Sequence, residues 1–124
     1  MNEKKVLSLL GLAKRAGKTA SGEFSVEKAV KDRSARLVII AADASGNTKK
    51  LFGDKCRTYH VPCYECGTQE SLGHALGLEY RASAAVLDQG FAAAVEKLLK
   101  TGMADSTGRQ GESTEAENGK NQNI

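Results

Sequence analysis

Residues 37–42, Leu-Val-Ile-Ile-Ala-Ala, form an unbroken apolar run bracketed by Arg36 and Asp43. A strand with one wet face alternates apolar and polar residues, whereas a run without alternation must be covered on both faces. The run is strand-sized and rich in β-branched residues, which favours a strand over a helix. A chain built around such a strand needs a layer of helices on each side of its sheet.

The rest of the sequence supplies those helices. Val6, Leu9, Leu10, Ala13 and Ala16 recur at spacings of three and four and predict an amphipathic helix ending at Gly17. Thr19–Ser21 reads as a short strand or turn. Gly22 opens a second helical segment, with Val26, Ala29 and Val30 inward and Glu27, Lys28, Lys31 and Arg33 outward; Phe24 is expected in the core. Ser45 is a candidate N-cap for a third helix carrying Leu51, Phe52 and Cys56 on one face. Residues 61–66 read as a strand placed at a sheet edge by Pro62. Thr68 caps a fourth helix that buries Leu72, Ala75 and Leu76 and ends at Gly77. Residues 82–87 form a small-residue strand. Asp88 starts a last helix burying Phe91, Val95, Leu98 and Leu99. The expectation is one α/β domain over residues 1–100. Residues 101–124 hold only Met103 and Ile124 as sizeable apolar side chains and read as a disordered polar tail.

Charge is distributed unevenly. Residues 1–57 carry 13 Lys/Arg against 6 Asp/Glu, while residues 58–100 and 101–124 are each acidic by two. A basic half of this kind fits a polyanion-binding face. With three Phe, three Tyr and no Trp, an extended base-stacking platform is not expected. No apolar run reaches the length of a membrane span. The N-terminal segment, interrupted by Glu3, Lys14 and Arg15, reads as an amphipathic helix rather than an export signal. Three cysteines, an odd number, point to reduced thiols in a cytoplasm.

Several motifs imitate other chemistries. Residues 11–19, GLAKRAGKT, approach a phosphate-binding loop, but Gly11 lies one residue too far upstream and the segment closes a helix instead of following a strand. Cys56, His60, Cys63 and Cys66 have a spacing that could bind zinc; two of them fall in the predicted strand, three residues apart and so on opposite faces, and one is expected in the core. His60 and His74 lack the third group of a catalytic triad, and His74 is expected in solvent. No catalytic, metal or cofactor site is therefore expected.

Gly22–Ala41 (GEFSVEKAVKDRSARLVIIA) and Leu72–Val86 (LGHALGLEYRASAAV) together resemble the kink-turn-binding ribosomal protein family of archaeal L7Ae and eukaryotic L30e. The opening LLGLAKRAGKTASGE, the central ADASGNTKKLFGDKC and the later DQGFA resemble its bacterial YlxQ-like branch, so the likeness spans residues 4–100. The resemblance implies a three-layer α-β-α sandwich with a mixed sheet of about four strands. It also implies a non-catalytic, cytoplasmic, monomeric protein that binds structured RNA, kink-turns and ribosomal RNA included, with no membrane or small-molecule partner. The RNA site would comprise Gly22, Glu23 and Lys28 at the start of the second helix, Lys31 beside them, and the loop Leu78, Glu79, Tyr80, Arg81 and Ala82 opposite. This chain has Phe24 and Ser25 where the family motif places the Asn and Glu that contact sheared G·A pairs, which implies a looser sequence preference. The alternatives are a protein-interaction module on the same fold with lost RNA affinity, or a small thiol- or metal-dependent enzyme.

Overall fold

The computed structural model describes residues 2–107 of the 124-residue chain. Its elements follow in the order α1 (Glu3–Arg15), β1 (Thr19–Ser21), α2 (Glu23–Lys31), β2 (Leu37–Ile40), α3 (Gly46–Tyr59), β3 (Cys63–Glu65), α4 (Gln69–Ala75), β4 (Ser83–Val86) and α5 (Gln89–Thr107). The strands form one sheet in the order β1-β4-β2-β3. β4 is antiparallel to both β1 and β2, whereas β2 and β3 run parallel, so the sheet is mixed.

The unalternating run occupies the centre of this sheet, as its lack of polar residues requires. Every residue of β2 and β4 is buried, and Leu37, Val38 and Ile39 are fully shielded from solvent. α1 packs on α4 and α5, and α2 packs on α3, which gives a helix layer on each face of the sheet. β3 lies at the edge, where Pro62 needs no ladder donor; its carbonyl accepts from the Val38 N–H at 2.8 Å.

Local signals set the helix starts. The Ser45 hydroxyl accepts from the Thr48 N–H at 3.1 Å. Thr68 and Ser71 form a reciprocal capping box, and Asp88 accepts the Phe91 N–H at 2.9 Å. Of the 14 residues of α3 only Phe52 and Cys56 are buried, with Leu51 and Tyr59 half-buried against the core margin.

The structure corrects several expectations. Phe24 is 79% exposed and not in the core. The buried stripe of α2 is Val26, Ala29 and Val30, and a 100° step per residue puts position 24 on the opposite side of the helix from Val26. Cys63 and Cys66 are both half-buried at the core margin, and the cysteine inside is Cys56. Of the expected core residues of α5, Val95 and Leu99 are buried and Phe91 and Leu98 half-buried. α5 also continues to Thr107, into the segment read as a tail; residues 108–124 lie outside the described residues.

One contact ties the sheet edge to α5. The Tyr64 hydroxyl donates to the Glu96 carboxylate at 2.7 Å. Burial, and then the adjacent Glu96 charge and hydrogen bond, push the Tyr64 phenol above its ordinary value of 10.0. A group whose pKa is raised on folding contributes stability that is complete below the unfolded-state value and is lost as pH rises through the folded-state value. The protein should therefore lose stability above about pH 10. Tyr64→Phe should cost about 1 kcal/mol at neutral pH and flatten that alkaline loss. Urea titrations of both proteins at neutral and alkaline pH check this; parallel losses would exclude the Tyr64 contribution.

Candidate nucleic-acid interface

The site is built where β1 hands over to α2. Gly22 caps α2 at φ 90° and ψ 155°, a conformation open to glycine and strained for residues with a Cβ. Its N–H donates to the Ser83 carbonyl at 3.2 Å, and its carbonyl accepts the Val26 N–H at 3.0 Å. No side chain caps this helix. The N–H groups of Glu23, Phe24 and Ser25 thus have no acceptor within the helix, and they add to the positive end of its dipole.

The other half is the loop between α4 and β4. It folds back along α4 rather than leaving it. The Leu78 N–H donates to the Gly73 carbonyl at 2.8 Å, and the Arg81 N–H donates to the Gln69 carbonyl at 3.0 Å. This return path passes so close to Gly73 that a Cβ there would collide with the backbone carbonyl of Glu79. Leu78 packs against the core margin and Ala82 is half-buried, whereas Glu79 and Tyr80 face solvent.

Strand pairing brings the two halves together. Ser21 is opposite Ala84 in the β1–β4 ladder, so the end of β1 and the start of β4 are neighbours. Arg81 spans the junction: Nε donates to the Ser21 hydroxyl at 3.3 Å and Nη1 to the Tyr80 carbonyl at 2.8 Å. Gly22, Glu23, Tyr80, Arg81 and Ala82 therefore share one surface region.

The lysines of α2 sit differently. Lys28 lies one turn beyond Phe24, with its ammonium 3.6 Å from Asp32. Asp32 is held below its ordinary carboxylate value by the Ser34 hydroxyl first, then by the Ser34 N–H, with Lys28 adding to the effect. Lys31 ends α2, about 12 Å along the axis from its start. It pairs at 3.3 Å with Glu27, which also receives Lys55 of α3 at 3.6 Å. The Lys28–Asp32 pair is exposed on both sides, and such pairs hold by about 0–1 kcal/mol, so a phosphate can displace the carboxylate there.

Two groups escaped the sequence reading. Phe24, Lys28 and Lys31 stand at i, i+4 and i+7, a spacing that places all three on one helix face. With Glu27 and Asp32 they line a shallow concavity of about 460 Å³. The spacing was the signal, and the aromatic side chain obscured it. The second group is at the end of α1. Lys14, Arg15 and Lys18 are exposed, and none has a carboxylate partner within 4.0 Å among the described residues. Lys14 donates to the Leu76 carbonyl at 3.4 Å, which puts these cations beside the foot of the α4–β4 loop.

The segment resembling a phosphate loop ends α1, and Gly17 at φ 74° terminates it. The neighbouring Cys63 thiol first, and then burial, push Cys56 up, while Cys56 draws Cys63 down. Burial also raises Cys66, with the Glu3 charge adding to it. His60 closes α3 in the left-handed region at φ 59°. Among the described residues, no three His, Cys, Asp or Glu side chains gather as a metal cluster. No helix there is long and apolar enough to cross a membrane.

Known proteins resemble this chain in sequence and in fold. The chain is 46% identical over 91 residues to the RNA-binding protein YlxQ of Bacillus subtilis, which covers 73% of this chain and 91% of the relative. It is 36% identical over 99 residues to the RNA-binding protein YlxQ of Enterococcus faecium, covering 80% and 95%. A solved Bacillus halodurans protein of unknown function superimposes with a TM-score of 0.75 at 42% identity, over 77% of this chain and 97% of the other. The Giardia lamblia 15.5kD RNA binding protein has the same fold, with a TM-score of 0.70 at 23% identity over 82% and 87%. The family model for ribosomal proteins L7Ae, L30e and S12e and Gadd45 matches residues 4–96, which include both halves of the site and all four strands. By sequence and by fold, the chain belongs to the ribosomal protein L7Ae/L30e/S12e/Gadd45 family.

Proposed function

We propose that this protein binds structured RNA through the surface joining the start of α2 to the α4–β4 loop, and that it does so without catalysis. The observation that carries the reading is the junction itself. A glycine-opened helix start with free N–H groups lies beside a solvent-facing loop bearing Tyr80 and Arg81. The relatives named as RNA-binding support it. Backbone N–H groups, Arg81 and Lys28 suit phosphate contacts, which supply affinity, and the fixed angle between helix start and loop supplies shape selection.

Two phosphate backbones brought together at a sharp bend match such a surface better than a straight duplex. The preferred partner is therefore kink-turn or similarly bent RNA, ribosomal RNA being one source. The protein acts as a cytoplasmic monomer on this reading. Lys31, at the far end of α2, contributes through the general field.

A gel-shift titration of a kink-turn RNA against a matched straight duplex tests this. The kinked RNA should bind more tightly, and affinity should fall as salt rises because each neutralised phosphate releases counterions. Lys28→Ala should weaken all kinked RNAs alike, by about 1–3 kcal/mol. Equal affinity for kinked and straight RNA, with Lys28→Ala changing neither, would leave the protein-interaction reading in its place.

A further inference from the structure

We infer that Phe24 is a base-stacking residue that takes an unpaired nucleobase of the bound RNA on the outer face of α2. The inference rests on the RNA-binding reading above and adds to it the part of the ligand that is read there. Phe24 is the most exposed large apolar side chain among the described residues, at 79%. It does not stand alone. Lys28 and Lys31 continue its helix face, and Glu27 and Asp32 complete a shallow concavity of about 460 Å³.

The chemistry of that concavity narrows the occupant. Its lining is mostly apolar, the phenyl ring together with the stems of charged side chains whose heads stand at the rim, so an occupant needs an apolar face with charge at its edge. An unpaired nucleotide presents both features required, a π face for the ring and a phosphate for an ammonium. Glu27 and Asp32 now answer the lysines, and a phosphate would replace them at Lys28 first, since Lys28 is 69% exposed and holds Asp32 at 3.6 Å.

Position supports the same occupant. Phe24 lies two residues after Gly22, and Tyr80, 63% exposed, precedes Arg81. The Arg81–Ser21 hydrogen bond and the Gly22–Ser83 bond join these two segments. Among the described residues, two of the three exposed large apolar side chains thus flank the junction, the third being Leu12. A phenyl ring has no hydrogen-bonding group, so it recognises that a base is unpaired and not which base it is.

The test compares the unsubstituted protein with Phe24→Ala, Phe24→Leu and Phe24→Trp. The probes are a kink-turn RNA with its unpaired bulge and a fully paired duplex of matched length. Thermal unfolding confirms that each variant is folded, as expected for so exposed a side chain. Phe24→Ala and Phe24→Leu should each bind the bulged RNA about tenfold more weakly, with less than about a twofold change on the paired duplex. Phe24→Trp should retain affinity. Because the chain has no other Trp, its fluorescence reports on this position alone, and the bulged RNA should quench it while the paired duplex does not. Leucine restoring full affinity, alanine binding as tightly as phenylalanine, or an unquenched tryptophan would each overturn stacking at this position. Absence of RNA affinity in the unsubstituted protein would overturn the broader reading as well, and is seen without any substitution at position 24.

Discussion

Phe52→Ala will lower the unfolding free energy by about 3–5 kcal/mol, the largest effect expected of any single truncation here. Phe52 is fully buried and heads the fully buried side chains by volume. It also carries a disproportionate share of one element, because α3 buries only Phe52 and Cys56. Removing the ring leaves a cavity between α3 and the sheet that neighbouring side chains fill only partly. The melting temperature should fall by about 12 °C or more for a domain of this size. The folded fraction should bind RNA with unchanged affinity, since α3 supplies no residue to the junction between α2 and the loop. Urea unfolding with an unchanged m-value is the measurement; a loss under about 1.5 kcal/mol would mean that α3 is anchored by other contacts.

Gly73→Ala should have the largest effect on recognition. The added methyl group meets the Glu79 carbonyl and the Tyr80 N–H, which are backbone and cannot rotate aside. Either α4 shifts or the loop lifts, and the loop is the more exposed of the two. Lifting it breaks the Leu78–Gly73 hydrogen bond and carries Tyr80 and Arg81 away from Ser21. Stability should fall by about 1–3 kcal/mol, a usual cost of overpacking. The proposed preference for kinked over straight RNA should nearly vanish. Gly77→Ala is the control. Gly77 adopts φ 72° with nothing near its would-be Cβ, so alanine there is strained by about 1–2 kcal/mol without displacing the loop. If Gly73→Ala still discriminates as the unsubstituted protein does, the close approach at Gly73 does not set the loop.

The sheet and its caps were legible because each rests on local chemistry. A run without alternation, LVIIAA, has one low-energy home, and Ser45, Thr68 and Asp88 each reach an N–H within their own first turn. Pro62 marked the sheet edge for the same reason. The start of α2 and the α4–β4 loop were legible as segments. Their placement opposite one another came only from the family resemblance, because periodicity cannot show β1 pairing with β4 across more than sixty residues, and a three-residue strand carries little pattern. Phe24 was misplaced because its residue type outweighed its spacing. The i, i+4, i+7 relation to Lys28 and Lys31 pointed to solvent, and hydrophobicity alone pointed inward. The ion pairs that occupy Lys28 and Lys31 join side chains whose rotamers no periodicity encodes. α5 runs past residue 100 because polar composition does not forbid helical backbone.

The β1–β4 register has a consequence for how this scaffold can diversify. Positions 23–25 and 79–80 project from the rim of a sheet whose alignment is set elsewhere, by buried β2 and β4 and by two glycines, and their exposed side chains pack into no interior. Substitution at those exposed positions costs folding little, whereas changes in buried β2 and β4 or at Gly73 are costly. A lineage can therefore exchange hydrogen-bonding side chains for a phenyl ring, or back again, in single viable steps. The ligand vocabulary of the surface is in this sense editable independently of the grammar of the fold.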